Sequence, residues 1–154
     1  MEYIKGDATD PIGTGPKIIV HVCNNIGAWG RGFVVAISRK WPGPEATYHQ
    51  LFAETSGTFI ELGTVQFVPV KQDLWVANMV AQHSIRGPNN PTPIVYSAVG
   101  ECLEIVAEEA VKLGASVHMP RIGCGLAGGT WDQIEPLINK TLTQREVPVF
   151  VYDL

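Results

Sequence analysis

The residues best suited to chemistry lie in a glycine-rich run, Gly123-Cys124-Gly125-Leu126-Ala127-Gly128-Gly129, which follows Val117-His118-Met119 and precedes Thr130-Trp131-Asp132. It reads as a short strand, a loop and a helix start. Four glycines in seven residues suit neither a packed strand nor a helix interior, where each would cost stability. They suit a loop whose backbone approaches something closely. Thr130 stands where an N-cap belongs, so free amides of the helix start would point toward that loop. Such a site holds phosphate without a basic side chain. The alternative is an ordinary turn ending in a helix cap.

A second transition of the same kind lies upstream. Lys17 to Val22 is an almost continuous run of β-branched residues, the pattern of a strand buried on both faces. Cys23-Asn24-Asn25-Ile26-Gly27-Ala28-Trp29-Gly30-Arg31-Gly32-Phe33 follows, and Phe33, Ala36 and Ile37 at helical spacing predict a helix from about Gly30 to Lys40, ended before Pro42. Asn24 and Asn25 sit at the strand end, from which ligand-binding groups project in open α/β sheets; equally, they could only tie down the turn. Asp7, after Gly6, could cap a turn or accept from a ligand amine.

These loops need a scaffold, and the rest of the chain supplies one. Glu2 to Lys5 reads as an edge strand, and Pro44-Glu45 opens a helix through about Ala53. Gly63 to Val70 and Leu74 to Val80 read as a hairpin around Lys71-Gln72-Asp73. His83 reads as a surface or hydrogen-bonding histidine. The proline-, glycine- and asparagine-rich run Arg86 to Pro93 is the longest mobile segment and a candidate lid. Ile94 to Leu113 carries an apolar stripe at three-to-four spacing and ends at Gly114, a helix with its C′ glycine. Ser116 to Met119 is a strand, Trp131 to Leu142 a helix, and Pro148 to Tyr152 the last strand. This alternation predicts one α/β domain over residues 1–154 with a largely parallel sheet, its two glycine loops meeting at one edge.

Composition narrows the function. With 45% hydrophobic and 17% charged residues the chain is a folded globular domain. A net charge of −4 without a visible Lys/Arg cluster argues against duplex nucleic acid as partner. No run is long enough to span a membrane, and Met1 to Asp7 lacks a signal-peptide pattern. Three cysteines without a CxxC pair argue against disulfides and zinc, so no metal is expected and the reducing cytoplasm is the expected compartment. Gly123, Gly125 and Gly128 satisfy G-x-G-x-x-G, but only one strand remains after them, so a full dinucleotide-binding domain cannot follow. There is no phosphate-binding G-x-x-x-x-G-K-[ST] and no G-x-S-x-G nucleophile elbow. Cys124 is read as a small loop residue rather than a nucleophile.

Gly6-Asp7, the run Val20 to Phe33, Met119 to Leu126 and Val151 to Leu154, in this order and spacing, resemble the macrodomain family over nearly the whole chain. The likeness is strongest to the branch of the terminal ADP-ribose protein glycohydrolase and the yeast ADP-ribose-1″-phosphate phosphatase. It implies a three-layer α/β/α fold with a six-stranded mixed sheet, mostly parallel, and an ADP-ribose cleft between the glycine loops. It also implies an expected monomer, a partner that is ADP-ribose or ADP-ribosylated protein, and no cofactor.

By position, the resemblance places Asp7 and Ala8 at the adenine, with Tyr152 beside it. It places Asn25, Gly30, Arg31, Gly32 and Phe33 in the first loop. Pro120, Arg121, Ile122, Gly123, Cys124, Gly125 and Leu126 form the second, which gives amides to the pyrophosphate. The glycohydrolase's lysine and aspartate fall on Gln82 and Ala127, neither able to form a lysyl adduct or act as a base. Gln82, Asn25 and His21 are then the catalytic candidates. Gln82 could orient a water or the scissile ester. His21, inside an apolar strand, is read as facing the core. The resemblance implies hydrolysis of ADP-ribosyl esters on acidic side chains, with ADP-ribose-1″-phosphate hydrolysis or non-catalytic reading as alternatives.

Overall fold

The computed structural model describes residues 1–154. Eleven short elements follow in order: β1 (Glu2–Lys5), β2 (Lys17–Asn24), α1 (Phe33–Lys40), α2 (Gly43–Ala53), β3 (Val65–Lys71), β4 (Leu74–Gln82), α3 (Tyr96–Leu113), β5 (Ser116–Met119), α4 (Trp131–Thr141), a 3-10 turn (Thr143–Arg145) and β6 (Val149–Asp153). Every predicted strand and helix is present. The boundaries move by up to three residues: β2 and β4 run two residues further than their apolar runs, and α1 begins at Phe33 rather than Gly30. The cause at α1 is Gly32, whose φ of 83° breaks the helical path.

One six-stranded sheet has the order β1-β6-β5-β2-β4-β3. All neighbours are parallel except β3 and β4, the hairpin around Lys71 to Leu74. The sheet is therefore mixed and mostly parallel, as the resemblance implies. β2 lies at its centre, in register with β4 (His21 opposite Asn78) and with β5 (Ile19 opposite His118). Its alternating side chains build both halves of the core. Ile18 and Val20 pack with Val99, Leu103 and Val106 of α3 and with Ile134 and Ile138 of α4. Ile19 and Cys23 pack with Trp29, Ile37 and Tyr48 on the other face, under α1 and α2. That two-sided burial is why β2 reads as an unbroken apolar run.

α3 buries a continuous stripe from Ala98 to Ala110, and Gly114 ends it in the left-handed conformation, its amide bonded to Ala110 and Val111 carbonyls. No helix is long and apolar enough to cross a membrane. Because β2 and β5 are adjacent and parallel, the loops leaving their C-terminal ends emerge side by side, the position at which open α/β sheets present ligand sites.

Candidate functional site

A cleft of about 570 Å³ opens between those two loops. The β2–α1 loop contributes Gly30, Arg31, Gly32 and Phe33, and the β5–α4 loop contributes Pro120, Arg121, Ile122, Gly123, Gly125, Leu126 and Ala127. Amides from Gly30 to Val34 donate to nothing within the chain, and neither do those of Gly125, Leu126 and Ala127. Two rows of unused backbone donors thus border one cavity, a combination that favours an anion. The helix start facing it is that of α1. The first turn of α4 does not line the cleft, Thr130 makes no side-chain cap, and its amide instead bonds to the Tyr96 hydroxyl at 3.1 Å. The expected N-cap at Thr130 is thus positional only, because the tight turn Gly123 to Gly129 has already diverted the loop: the Gly129 amide bonds back to the Gly123 carbonyl at 2.7 Å.

Three arginines from three separate loops, Arg31, Arg86 and Arg121, are among the lining residues, and no carboxylate lines the cleft. The expectation of no basic cluster along the sequence holds, and in the fold these three arginines share the lining of one cleft. Arg121 is the most firmly held. Asp153 takes it in a bidentate pair (2.8 and 3.1 Å), and its guanidinium lies 5.1 Å from the Tyr3 ring and 5.3 Å from the Trp131 ring. The hydrogen bonds between the two lower the Asp153 carboxyl below its usual value and raise Arg121.

At the other end of the cleft stand Gln82, Ile85 and Arg86, from the end of β4 and the loop after it. The Gln82 amide donates to the Ser84 carbonyl at 3.0 Å, which leaves its side-chain oxygen as the free acceptor. Ile85 and Arg86 are not marked as site residues by sequence; no local signal distinguishes a lone arginine at the mouth of a polar loop. That loop is fastened rather than loose. The His83 amide bonds to the Pro93 carbonyl, Gly87 and Asn90 pair both ways, and the Asn90 side chain donates to the carbonyls of His83 and Ile85. Of the expected lid, Arg86 to Pro93, Arg86 lines the cleft and the rest is hydrogen-bonded beside it.

Asn24 and Asn25 both tie backbone down, and of the two only Asn24 also lines the cleft. Asn24 ties the turn: its oxygen accepts from the amides of Ile26 and Ala28 and from the Tyr48 hydroxyl. Asn25 is buried and does not line the cleft. Its oxygen accepts from the Ser84 amide at 2.8 Å and its amide meets His83 Nδ1 at 3.1 Å, so it clips the end of β2 to the end of β4. His83 is exposed and hydrogen-bonded, as expected.

His21 lies in the cleft floor yet is only 2% exposed, under Trp29 and Phe33. Asn78 donates its amide to the Pro44 carbonyl and to Gln66, so its oxygen faces His21 Nε2 at 2.6 Å and accepts the ring proton. Burial pulls the His21 pKa down to about 4, so the ring is neutral at pH 7. The reading of His21 as a core residue is what the packing shows.

The remaining predicted residues lie outside the cleft wall. Asp7 Oδ1 accepts from the Thr9 amide (2.8 Å) and hydroxyl (2.7 Å), a turn cap that lowers its pKa. Ala8 is buried beside it. The Tyr152 hydroxyl accepts from the Ile12 amide and meets His118 Nδ1 at 2.6 Å. Cys124 donates its thiol to the Ile122 carbonyl, its amide bonds to the Arg121 carbonyl, and burial raises its pKa, all features of a structural loop thiol. Its amide is therefore already engaged, unlike those of its neighbours.

This fold and cleft define a class of protein, and comparison agrees: residues 20–138 match the Macro domain family, to which the chain belongs. A macrodomain protein from Streptomyces coelicolor has the same fold, with a TM-score of 0.87, 50% identity, and coverage of 99% of this chain and 98% of that one. The ADP-ribose 1″-phosphate phosphatase of Candida albicans is 25% identical over 91% of this chain and 92% of its own length. Mouse chromodomain-helicase-DNA-binding protein 1-like is 35% identical over 99% of this chain, which spans only 17% of that larger protein. The chain is thus a homologue of proteins that act on ADP-ribose compounds.

Proposed function

We propose that the protein binds ADP-ribose in this cleft and hydrolyses an ADP-ribosyl ester on an acidic protein side chain. One observation carries the reading: two loops of unused backbone amides border a single cavity that no carboxylate lines. A pyrophosphate dianion matches that field, which a net charge of −4 elsewhere does not cancel at close range. The adenine then lies toward β6 and β1, near Asp7 and Tyr152, and the distal ribose toward β4, at Gln82.

Hydrolysis adds one water across the ester, releasing ADP-ribose and the free carboxylic acid. Gln82 is the group assigned to it. With its amide held by Ser84, its oxygen accepts a hydrogen bond from the attacking water or from a ribose hydroxyl and so fixes its approach. Asn25 acts one step back, by holding the Ser84 backbone. His21 gives a neutral floor and is committed to Asn78.

The Candida relative favours a second substrate, ADP-ribose 1″-phosphate. The Gln82 and Ala127 pair, which lacks a nucleophile and a base, favours non-catalytic reading of ADP-ribosylated protein. One experiment separates the three. Turnover of a glutamate-linked ADP-ribosyl peptide and of ADP-ribose 1″-phosphate is followed beside a calorimetric titration with ADP-ribose. Faster release from the peptide is expected. Faster release of phosphate selects the second substrate, binding without turnover selects the reader, and no binding removes the cleft assignment.

A further inference from the structure

We infer that the rim outside the β4 end of the cleft, formed by Phe59, His83, Ile85 and Arg86, is a docking surface for an acidic polypeptide segment that carries the ADP-ribose. The inference rests on the reading of the cleft as an ADP-ribose site and names which flanking sequence that site prefers.

The order β5-β2-β4 puts the amide loops on one side and Arg86 on the other, past the end of β4. Its charge therefore lies beyond the pyrophosphate donors, where the distal ribose leads out to whatever it is attached to. Arg121 is matched by Asp153, whereas Arg86 forms no ion pair within the chain. An unmatched guanidinium at a cleft mouth that has no lining carboxylate attracts an anionic partner.

The same rim exposes apolar side chains. Ile85 is 51% exposed and Phe59 59%, the largest exposures among the aromatic and branched residues around the cleft. Phe59 rests on the His83 ring, with centroids 5.1 Å apart, and His83 is clipped by Asn25. The Asn90 side chain binds the carbonyls of both His83 and Ile85, at 2.9 and 3.1 Å. The surface is thus one fastened ribbon, continuous with the cleft through Ile85 and Arg86, and little order is lost when a chain settles on it. An extended segment leaving the distal ribose meets the apolar pair with its own side chains and Arg86 with a neighbouring Asp or Glu.

The test uses peptides bearing one ADP-ribose through a hydrolysis-resistant amide, flanked by two glutamates or by two glutamines, with free ADP-ribose as control. For the wild-type protein the glutamate-flanked peptide should bind roughly fivefold tighter at low salt, as one exposed charge pair allows, and the gap should shrink as salt rises. Arg86→Glu should erase or invert the gap. Phe59→Ala should weaken both peptides and leave free ADP-ribose alone. Equal affinity for the two peptides, a gap that Arg86→Glu does not move, or peptide binding unaffected by Phe59→Ala would each overturn the inference while ADP-ribose still binds. Failure of free ADP-ribose to bind would instead overturn the cleft reading and this inference with it.

Discussion

Leu126 closes on Gly32 across the cleft: a Cβ on Gly32 would stand 3.4 Å from the Leu126 Cδ1 atom. The tips of the two amide-bearing loops therefore touch, and the first is held by a backbone conformation, φ 83° and ψ −149°, that side-chain-bearing residues avoid. Gly32→Ala should move the α1 start and its amides, weakening ADP-ribose binding by about tenfold or more, because strain of about 1–3 kcal/mol must be relieved by displacement. Gly13→Ala is the control, with similar φ (94°) but open space around it and no place in the cleft. Calorimetry on both variants checks this, and equal affinities would dissociate Gly32 from the phosphate site.

Gly125 tests the second loop without the ambiguity of misfolding. A Cβ there meets nothing within 4 Å, whereas one on Gly129 would meet the Gly123 carbonyl at 2.5 Å. Gly125→Glu should therefore melt within a few degrees of wild type yet lose ADP-ribose binding, since bulk and negative charge enter the space assigned to phosphate. Gly129→Val should fail to fold. A well-folded Gly125→Glu protein with wild-type affinity would remove the pyrophosphate from this loop.

Gln82→Ala should slow turnover more than tenfold, roughly 1.4 kcal/mol of transition-state stabilisation, and change the affinity for ADP-ribose little. Asn25→Ala should lower turnover in the same direction and also cost thermal stability, because it frees the Ser84 amide. Single-turnover rates beside melting curves distinguish the two. Undiminished rates in Gln82→Ala would take Gln82 out of the mechanism.

Asp7 separates its structural role from its ligand role by one substitution. Asp7→Asn retains an oxygen for the two Thr9 bonds but turns the second oxygen into a donor. Wild type should prefer ADP-ribose over IDP-ribose at least tenfold, since a charged hydrogen bond is worth about 1.5–3 kcal/mol. Asp7→Asn should keep its melting temperature and lose that preference. A preference unchanged by Asp7→Asn would confine Asp7 to the turn.

Two buried histidines make stability sensitive to acid. Burial lowers His21 and His118 to about 4 each. Their unfolded forms bind protons near pH 6.5, so between about pH 6.5 and 4 the unfolded chain holds more protons than the folded one, and stability falls with pH. The loss should approach about 3 kcal/mol per histidine at the acid end of that window. Urea midpoints measured from pH 7.5 to 4 should show this slope, and His118→Gln should flatten part of it. A flat profile would contradict neutral burial of both rings.

What the sequence alone determined was local. The β-branched run Lys17 to Val22, the stripe of α3 and the two glycine clusters each specify their own element through periodicity and backbone freedom, so the α/β alternation and the two amide loops were legible in the order of the residues. Even the departure of Gln82 and Ala127 from the hydrolase pattern was visible as residue types. Tertiary structure decided which groups meet. Arg31, Arg86 and Arg121 are 55 and 35 residues apart and line one cleft only because β4, β2 and β5 lie side by side. Asn24 and Asn25 are neighbours with the same chemistry, yet Asn24, the last residue of β2, meets Tyr48, and Asn25, just past the strand, meets Ser84. Periodicity records what each residue needs from its neighbours in the chain; hydrogen-bond partners 59 positions away, as Asn25 has in Ser84, are chosen by strand order, which no local pattern encodes.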